Sequence, residues 1–130
     1  MDPIFLSLED VISLHQNQID TYGGRDGIRE LGLLLSAIEM PKASFGGQFL
    51  HEDLYMMSAA YLFHIVQNHS FIDGNKRTGL AATITFMNFN KLKLVADHDE
   101  LTEMVLEVAQ GHRTKEEIAQ FLRENSQALG

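Results

Sequence analysis

Along most of this chain the apolar positions return with a helical period. Leu8, Val11, Ile12, Leu14 and Ile19 recur at spacings that put them on one face of a helix. Ser7 followed by Asp10 reads as a capping box, with Asp in place of the usual Glu. This helix is expected to stop at Tyr22-Gly23-Gly24, and Arg25-Asp26-Gly27 continues the break. The apolar positions over 28–40, with Leu31, Leu33, Leu34, Leu35 and Ile38, predict a second helix that Pro41 ends. Its start is weakened by Gly32.

Residues 41–50 are the least helical part of the chain. Ser44-Phe45-Gly46-Gly47-Gln48-Phe49 places two glycines between two aromatics. That suits a small β-hairpin, because both glycines can take positive φ; a plain loop docked through its phenylalanines is the alternative. The segments 54–66 and 79–89 are apolar on nearly all faces, so a third helix over about 52–68 and a fourth from 75 or 76 to 90 are expected to be buried. Residues 91–96 alternate weakly and read as an edge strand or extended connector. Asp97 with Glu100, or Asp99 alone, can cap a fifth helix carrying Leu101, Met104, Val105 and Val108, with Gly111 at its end. Thr114 with Glu117 is a capping box that opens a last helix bearing Ile118, Phe121 and Leu122. The expectation is an all-α domain of about six helices over 1–130, with one small hairpin if 44–49 forms it.

Composition narrows the function. The 130 residues carry a net charge of −8, so the chain as a whole repels phosphate backbones and no nucleic-acid partner is expected. It has no cysteine, which removes disulfides and thiolate metal sites. No signal sequence or membrane span is apparent, and a cytoplasmic location is the default.

Between the two apolar helices lies His69-Ser70-Phe71-Ile72-Asp73-Gly74-Asn75-Lys76-Arg77-Thr78. Asp73 to Lys76 fall at a predicted helix N-terminus, where unpaired N–H groups and the helix dipole favour an anion. Gly74 permits close backbone approach, and Lys76 and Arg77 add positive charge, so the stretch has the parts of a phosphate cradle. Asp73 is a hard oxygen ligand that can hold Mg²⁺ against a polyphosphate. Imidazole is suited to general-base work, and His69 stands four residues before Asp73. Taken singly, each residue has a plainer reading. His69 can satisfy terminal carbonyls, Asp73 can cap the fourth helix, and Lys76 and Arg77 can be a solvated pair. His64 reads as structural, and His15, His51, His98 and His112 show no metal-ligand spacing.

The stretch closely resembles the signature of the Fic/Doc superfamily, whose broad pattern is His-Pro-Phe-x-Asp/Glu-Gly-Asn-Gly-Arg-x-x-Arg. Ser70 replaces the proline, Lys76 the second glycine, and Leu80 the second arginine. The last two departures resemble the death-on-curing (Doc) toxin branch. Segments 27–34 and 45–55 also resemble that branch, so the likeness spans nearly the whole chain.

The resemblance implies a compact helical fold that modifies protein hydroxyls with a nucleoside triphosphate. Fic relatives transfer AMP. The Doc branch transfers the γ-phosphate of ATP to elongation factor Tu and stops translation. Lys76 fills the space that a glycine leaves for a nucleotide's remaining phosphates, which points to the second orientation. By resemblance His69 would be the general base, and Asp73 would support Mg²⁺ or orient the loop. Gly74, Asn75 and Lys76 would contact phosphate, and Arg77 would stabilise charge on the transferred group. Phe45, Gly46, Gly47, Gln48 and Phe49 would form a flap that docks the target as an added strand. The resemblance also implies inhibition by a small Phd-type antitoxin. Gln120, Glu124 and Asn125 only approach the inhibitory-helix pattern Ser/Thr-x-x-x-Glu-Gly/Asn and read as coincidence. An ordinary Fic-type AMP transferase and a catalytically silent binding module are the competing readings; an RNA-cleaving toxin is disfavoured by the charge.

Overall fold

The third helix is the axis on which the rest of the molecule packs. The computed structural model describes residues 2–129. Its helices are α1 (Leu8–Tyr22), α2 (Leu31–Glu39), α3 (Leu54–Asn68), α4 (Asn75–Phe89), α5 (His98–Ala109) and α6 (Lys115–Glu124). Helix α3 is buried on both flanks because its sequence has almost no polar face. On one flank Met57, Tyr61 and Ile65 join Leu34, Ile38, Phe71 and Phe86. On the other, Ala59, Leu62 and Val66 join Met104, Val108, Ile118 and Leu122. Each fully buried aliphatic or aromatic side chain contributes about 1.5–3 kcal/mol. The two clusters together fix α3 between the α1/α2 layer and the α5/α6 layer.

The capping patterns hold. Ser7 and Thr114 each accept from the backbone of the residue three on, and Asp10 and Glu117 reach back. Asp97 caps α5 by accepting from the N–H groups of Asp99 and Glu100. Asp53 caps α3, so that helix begins at Leu54, where the apolar run begins, rather than at about 52.

Helix α2 also starts late, at Leu31 rather than Ile28. The backbone of 27–30 is engaged elsewhere. The N–H groups of Arg29 and Glu30 both donate to the Ser70 carbonyl, and the Ile72 N–H donates to the Gly27 carbonyl. Local helix propensity yields here to a bridge across the central loop.

Two short antiparallel strand pairs complete the fold: β1 (Ser44–Phe45) with β2 (Gln48–Phe49), and β3 (Leu92–Leu94) with β4 (Ser126–Ala128). The first is the expected hairpin, with Gly46 and Gly47 at φ 61° and 81° in its two-residue turn. The second gives the weakly alternating 91–96 segment its partner, which lies beyond α6 and carries no strand signal of its own.

Gly79 lets α3 and α4 approach closely. A Cβ there would meet Val66 Cγ2 at 2.7 Å. Valine in a helix has essentially one rotamer and cannot turn the methyl away. Gly79→Ala is therefore expected to destabilise by about 1–2 kcal/mol, overpacking outweighing the gain in helix propensity. A lowered denaturant midpoint checks this; a raised one would show that the two helices can part at no cost.

Candidate active site

Four helix ends converge at one end of the bundle. The C-terminus of α1 arrives through the Gly23 carbonyl, which accepts from Arg77 Nη2 at 3.1 Å. The start of α2 arrives through the Leu33 carbonyl, which accepts from Asn68 Nδ2 at 2.9 Å. Helix α3 ends at His69, and α4 begins after Gly74. The loop between them opens onto a cavity of about 290 Å³ lined by His69 and residues 72–77. The structure thus brings His69, Asp73, Gly74, Asn75, Lys76 and Arg77 around one space.

His69 is exposed and sits in the left-handed region, at φ 49° and ψ 46°. That conformation costs a non-glycine residue about 1–2 kcal/mol. It is held by Arg29, whose Nε donates to the His69 carbonyl at 2.8 Å and whose Nη2 donates to the Asn68 carbonyl at 3.3 Å. The guanidinium thereby satisfies the last carbonyls of α3 and fixes the backbone that carries the imidazole.

Phe71 is buried and anchors the loop. The Asn75 side chain reaches back to it twice. Oδ1 accepts from the Phe71 N–H and Nδ2 donates to the Phe71 carbonyl, both at 3.0 Å. Both polar atoms of that amide are engaged within the loop, and Nδ2 keeps a second N–H beyond the bond to Phe71.

His15 completes the support. Its ring stacks on Phe71 with centroids 3.8 Å apart and planes 5° from parallel. Its Nε2 lies 2.8 Å from the Asp73 carbonyl, so that nitrogen carries the proton and donates. Sequence reasoning passed over His15 and Arg29. A signal existed for the first: His15 shares the buried stripe of α1 with Val11 and Ile19. A histidine inside an apolar stripe needs a partner. Nothing local marks Arg29.

Asp73 accepts from the Arg25 N–H with Oδ2 and from the Gly74 N–H with Oδ1. These two amides, with Arg77 and His15 nearby, hold its carboxyl below the usual aspartate range. It is the only carboxylate among the residues lining the cavity. Its exposure and its spare lone pairs fit a Mg²⁺ brought in with phosphate, since that ion uses one or two carboxylates and takes the rest of its oxygens from phosphate and water. Gly74, at φ 78°, is the N-cap of α4 and adds no capping side chain, so the first N–H groups of the helix face the cavity mouth unscreened. Arg77 is tethered to Gly23 and lies over the Tyr22 ring at 5.8 Å. Lys76 is exposed at the rim.

The 44–49 hairpin is not part of this space. It joins the end of α2 to the start of α3, and Phe49 packs edge-on against Phe5, which stacks on Phe86. His69 lies at the other end of α3, roughly 20 Å away at 1.5 Å rise per residue. The extended backbone beside the loop between α3 and α4 is instead the segment around Ile28, which bridges to Phe71. Gln120, Glu124 and Asn125 also lie outside the cavity lining.

His64 has a structural setting apart from the cavity. Lys115 Nζ lies 3.1 Å from His64 Nε2 and 3.2 Å from His51 Nε2. Burial first, then the Lys115 charge and His51, push the His64 pKa down to about 4 from 6.5. Burial and Lys115 lower His51 as well, against smaller opposing effects of the Met40 backbone and Glu116. Each histidine is neutral when folded and takes up a proton more readily when unfolded. Their contribution to stability is complete above about pH 6.5 and falls as pH drops toward 4. For His64 the expected loss at pH 5 is about 1–2 kcal/mol, discounted for partial exposure. Denaturant midpoints at pH 7.5 and 5 should differ less in His64→Gln than in the wild type; an equal difference would remove His64 as the source.

A helical domain with a polar loop and a helix N-terminus opening on one cavity has the parts of an anion-binding site. The chain belongs to the Fic/DOC family, whose model matches residues 5–87. It is 37% identical over 95 residues to the Toxin Doc of Mycolicibacterium smegmatis, covering 73% of this chain and 71% of that protein. It is 32% identical over 118 residues to the Protein kinase doc of Escherichia phage P1, covering 91% and 92% of the two chains. No helix among the described residues is long and apolar enough to cross a membrane.

Proposed function

We propose that this protein is a Doc-type toxin that moves the γ-phosphoryl group of ATP to a Ser or Thr hydroxyl of a translation factor, with elongation factor Tu as the expected target. The observation that carries the reading is the shared cavity of His69 and the N-terminus of α4, with Lys76 and Arg77 on its wall. A base, a donor-rich anion cradle and two cations then surround one acceptor position. The kinase name of the phage relative supports the phosphoryl form.

In this reading His69 takes the proton of the target hydroxyl as its oxygen bonds to the γ-phosphorus. The bond from that phosphorus to the β,γ-bridging oxygen breaks, and ADP leaves. The amides at 74–76 and the Arg77 guanidinium stabilise charge on the transferred group, work that needs positioning and electrostatics rather than covalent chemistry. Asp73 would hold Mg²⁺, which when bound neutralises phosphate charge. Lys76, at a position where the broader Fic pattern has glycine, favours an orientation that presents the γ-phosphate. A Phd-type antitoxin is the proposed inhibitory partner.

The test is the intact mass of elongation factor Tu after incubation with this protein, ATP and Mg²⁺. A gain of one phosphoryl group is expected. A gain of one adenylyl group would move the protein to the AMP-transferring class. No change, there and across a whole lysate, would leave a silent fold.

A further inference from the structure

His15 grips one particular peptide of the loop between α3 and α4. Its Nε2 lies 2.8 Å from the Asp73 carbonyl. A Cβ at Gly74 would lie 3.6 Å from His15 Cδ2, so the ring sits directly beneath the Asp73–Gly74 peptide. The ring is buried and stacked on Phe71, which is buried as well. Its other nitrogen, Nδ1, faces the exposed Asp26 carboxylate at 3.9 Å. A trans peptide points its carbonyl and its N–H in opposite directions. With the carbonyl turned down to His15, the Gly74 N–H is turned away from α1, where it donates to Asp73 Oδ1 at 2.8 Å.

The local chain does not fix that orientation. Gly74 stands at φ 78°, and glycine takes either sign of φ at similar cost. A flip of the 73–74 peptide would exchange its two groups. A carbonyl oxygen would then face the cavity in place of an N–H, and its partial negative charge would oppose an anion there.

We infer that His15 is a positioning residue for the proposed transfer: it latches the Asp73–Gly74 peptide so that the mouth of the cradle presents N–H groups and no carbonyl. This rests on the transferase reading above and adds to it a residue 58 positions away in sequence. While His15 is present the flip is disfavoured twice. It would leave the imidazole N–H buried without an acceptor, and it would bring the carbonyl beside the Asp73 carboxylate. With phenylalanine at position 15 the stack on Phe71 persists, but the carbonyl faces an apolar ring and gains by turning outward to water.

Two substitutions separate the donor from the ring. His15→Phe keeps the aromatic stack and removes the donor. His15→Gln removes the stack and carries an Nε2 donor at the same number of bonds from Cα. Calorimetric affinity for inorganic tripolyphosphate and the transfer rate from ATP are measured for each, with the melting temperature as a check on folding. His15→Phe is expected to weaken tripolyphosphate by about tenfold and transfer by about 10²-fold, and His15→Gln to stay within about threefold of the wild type on both. A phenylalanine variant equal to the wild type would overturn the latch and leave phosphoryl transfer standing. So would a glutamine variant that falls as far as the phenylalanine one. Nitrogen NMR of the wild type tests the same contact without any substitution. A His15 Nε2–H hydrogen-bonded to the Asp73 carbonyl is expected, and a ring protonated at Nδ1 alone would overturn the latch. A wild type that binds no tripolyphosphate and transfers nothing would take down the transferase reading and the latch with it.

Discussion

Replacing His69 with alanine is expected to lower phosphoryl transfer by about 10²–10⁴-fold, the usual contribution of a positioned general base. ATP affinity should change little, because the proposed phosphate contacts come from the first turn of α4 and not from the imidazole. The stability readout separates chemistry from structure. His69 occupies the left-handed region at φ 49°. Alanine keeps the cost of that conformation, while glycine releases it. His69→Gly should therefore be as inactive as His69→Ala but more stable by about 1 kcal/mol. Intact-mass kinetics and thermal melts on the two variants check both halves. Activity retained in either variant would remove the imidazole from the reaction. A glycine variant less stable than the alanine one would show that the His69 side chain itself helps to hold the loop.

The second large effect belongs to Asn75. Asn75→Ala leaves the N–H and the carbonyl of Phe71 without partners in a part-buried place. Each unsatisfied group costs about 1–3 kcal/mol, so a loss of about 2–4 kcal/mol is expected. Activity should fall by about 10²-fold, because the loop no longer holds His69 and the α4 amides in register. Asn75→Asp, which can accept from Phe71 but not donate to it, should be intermediate in stability. Denaturant melts and transfer rates measured side by side decide the residue's role. A variant that loses activity at unchanged stability would show the amide meeting phosphate directly.

Much of this was legible because it is local. A capping box spans four residues, and Ser7–Asp10 and Thr114–Glu117 both form as read. The Gly46-Gly47 turn needs only two positive φ values. The loop between α3 and α4 is contiguous in sequence, so its residues had to lie together once α3 and α4 were recognised as buried neighbours. The place of the 44–49 hairpin relative to the loop was not legible. An aromatic hairpin near the motif in sequence proved to lie at the far end of α3, because a straight helix of 15 residues separates them.

The sequence by itself determined the six helices, the caps of α1, α5 and α6, the glycine turn and the cluster of reactive groups between α3 and α4, since short-range pattern and covalent adjacency specify each of them. Only the tertiary structure decided how that cluster is held. The amide of Arg25 meets Asp73 across 48 positions, Arg29 closes α3 across 40, and His15 reaches the loop across 58. The same holds for the pairing of β3 with β4. Such contacts depend on which helix ends meet. That is set by how buried faces pack around α3, a property of the whole chain that no short stretch carries.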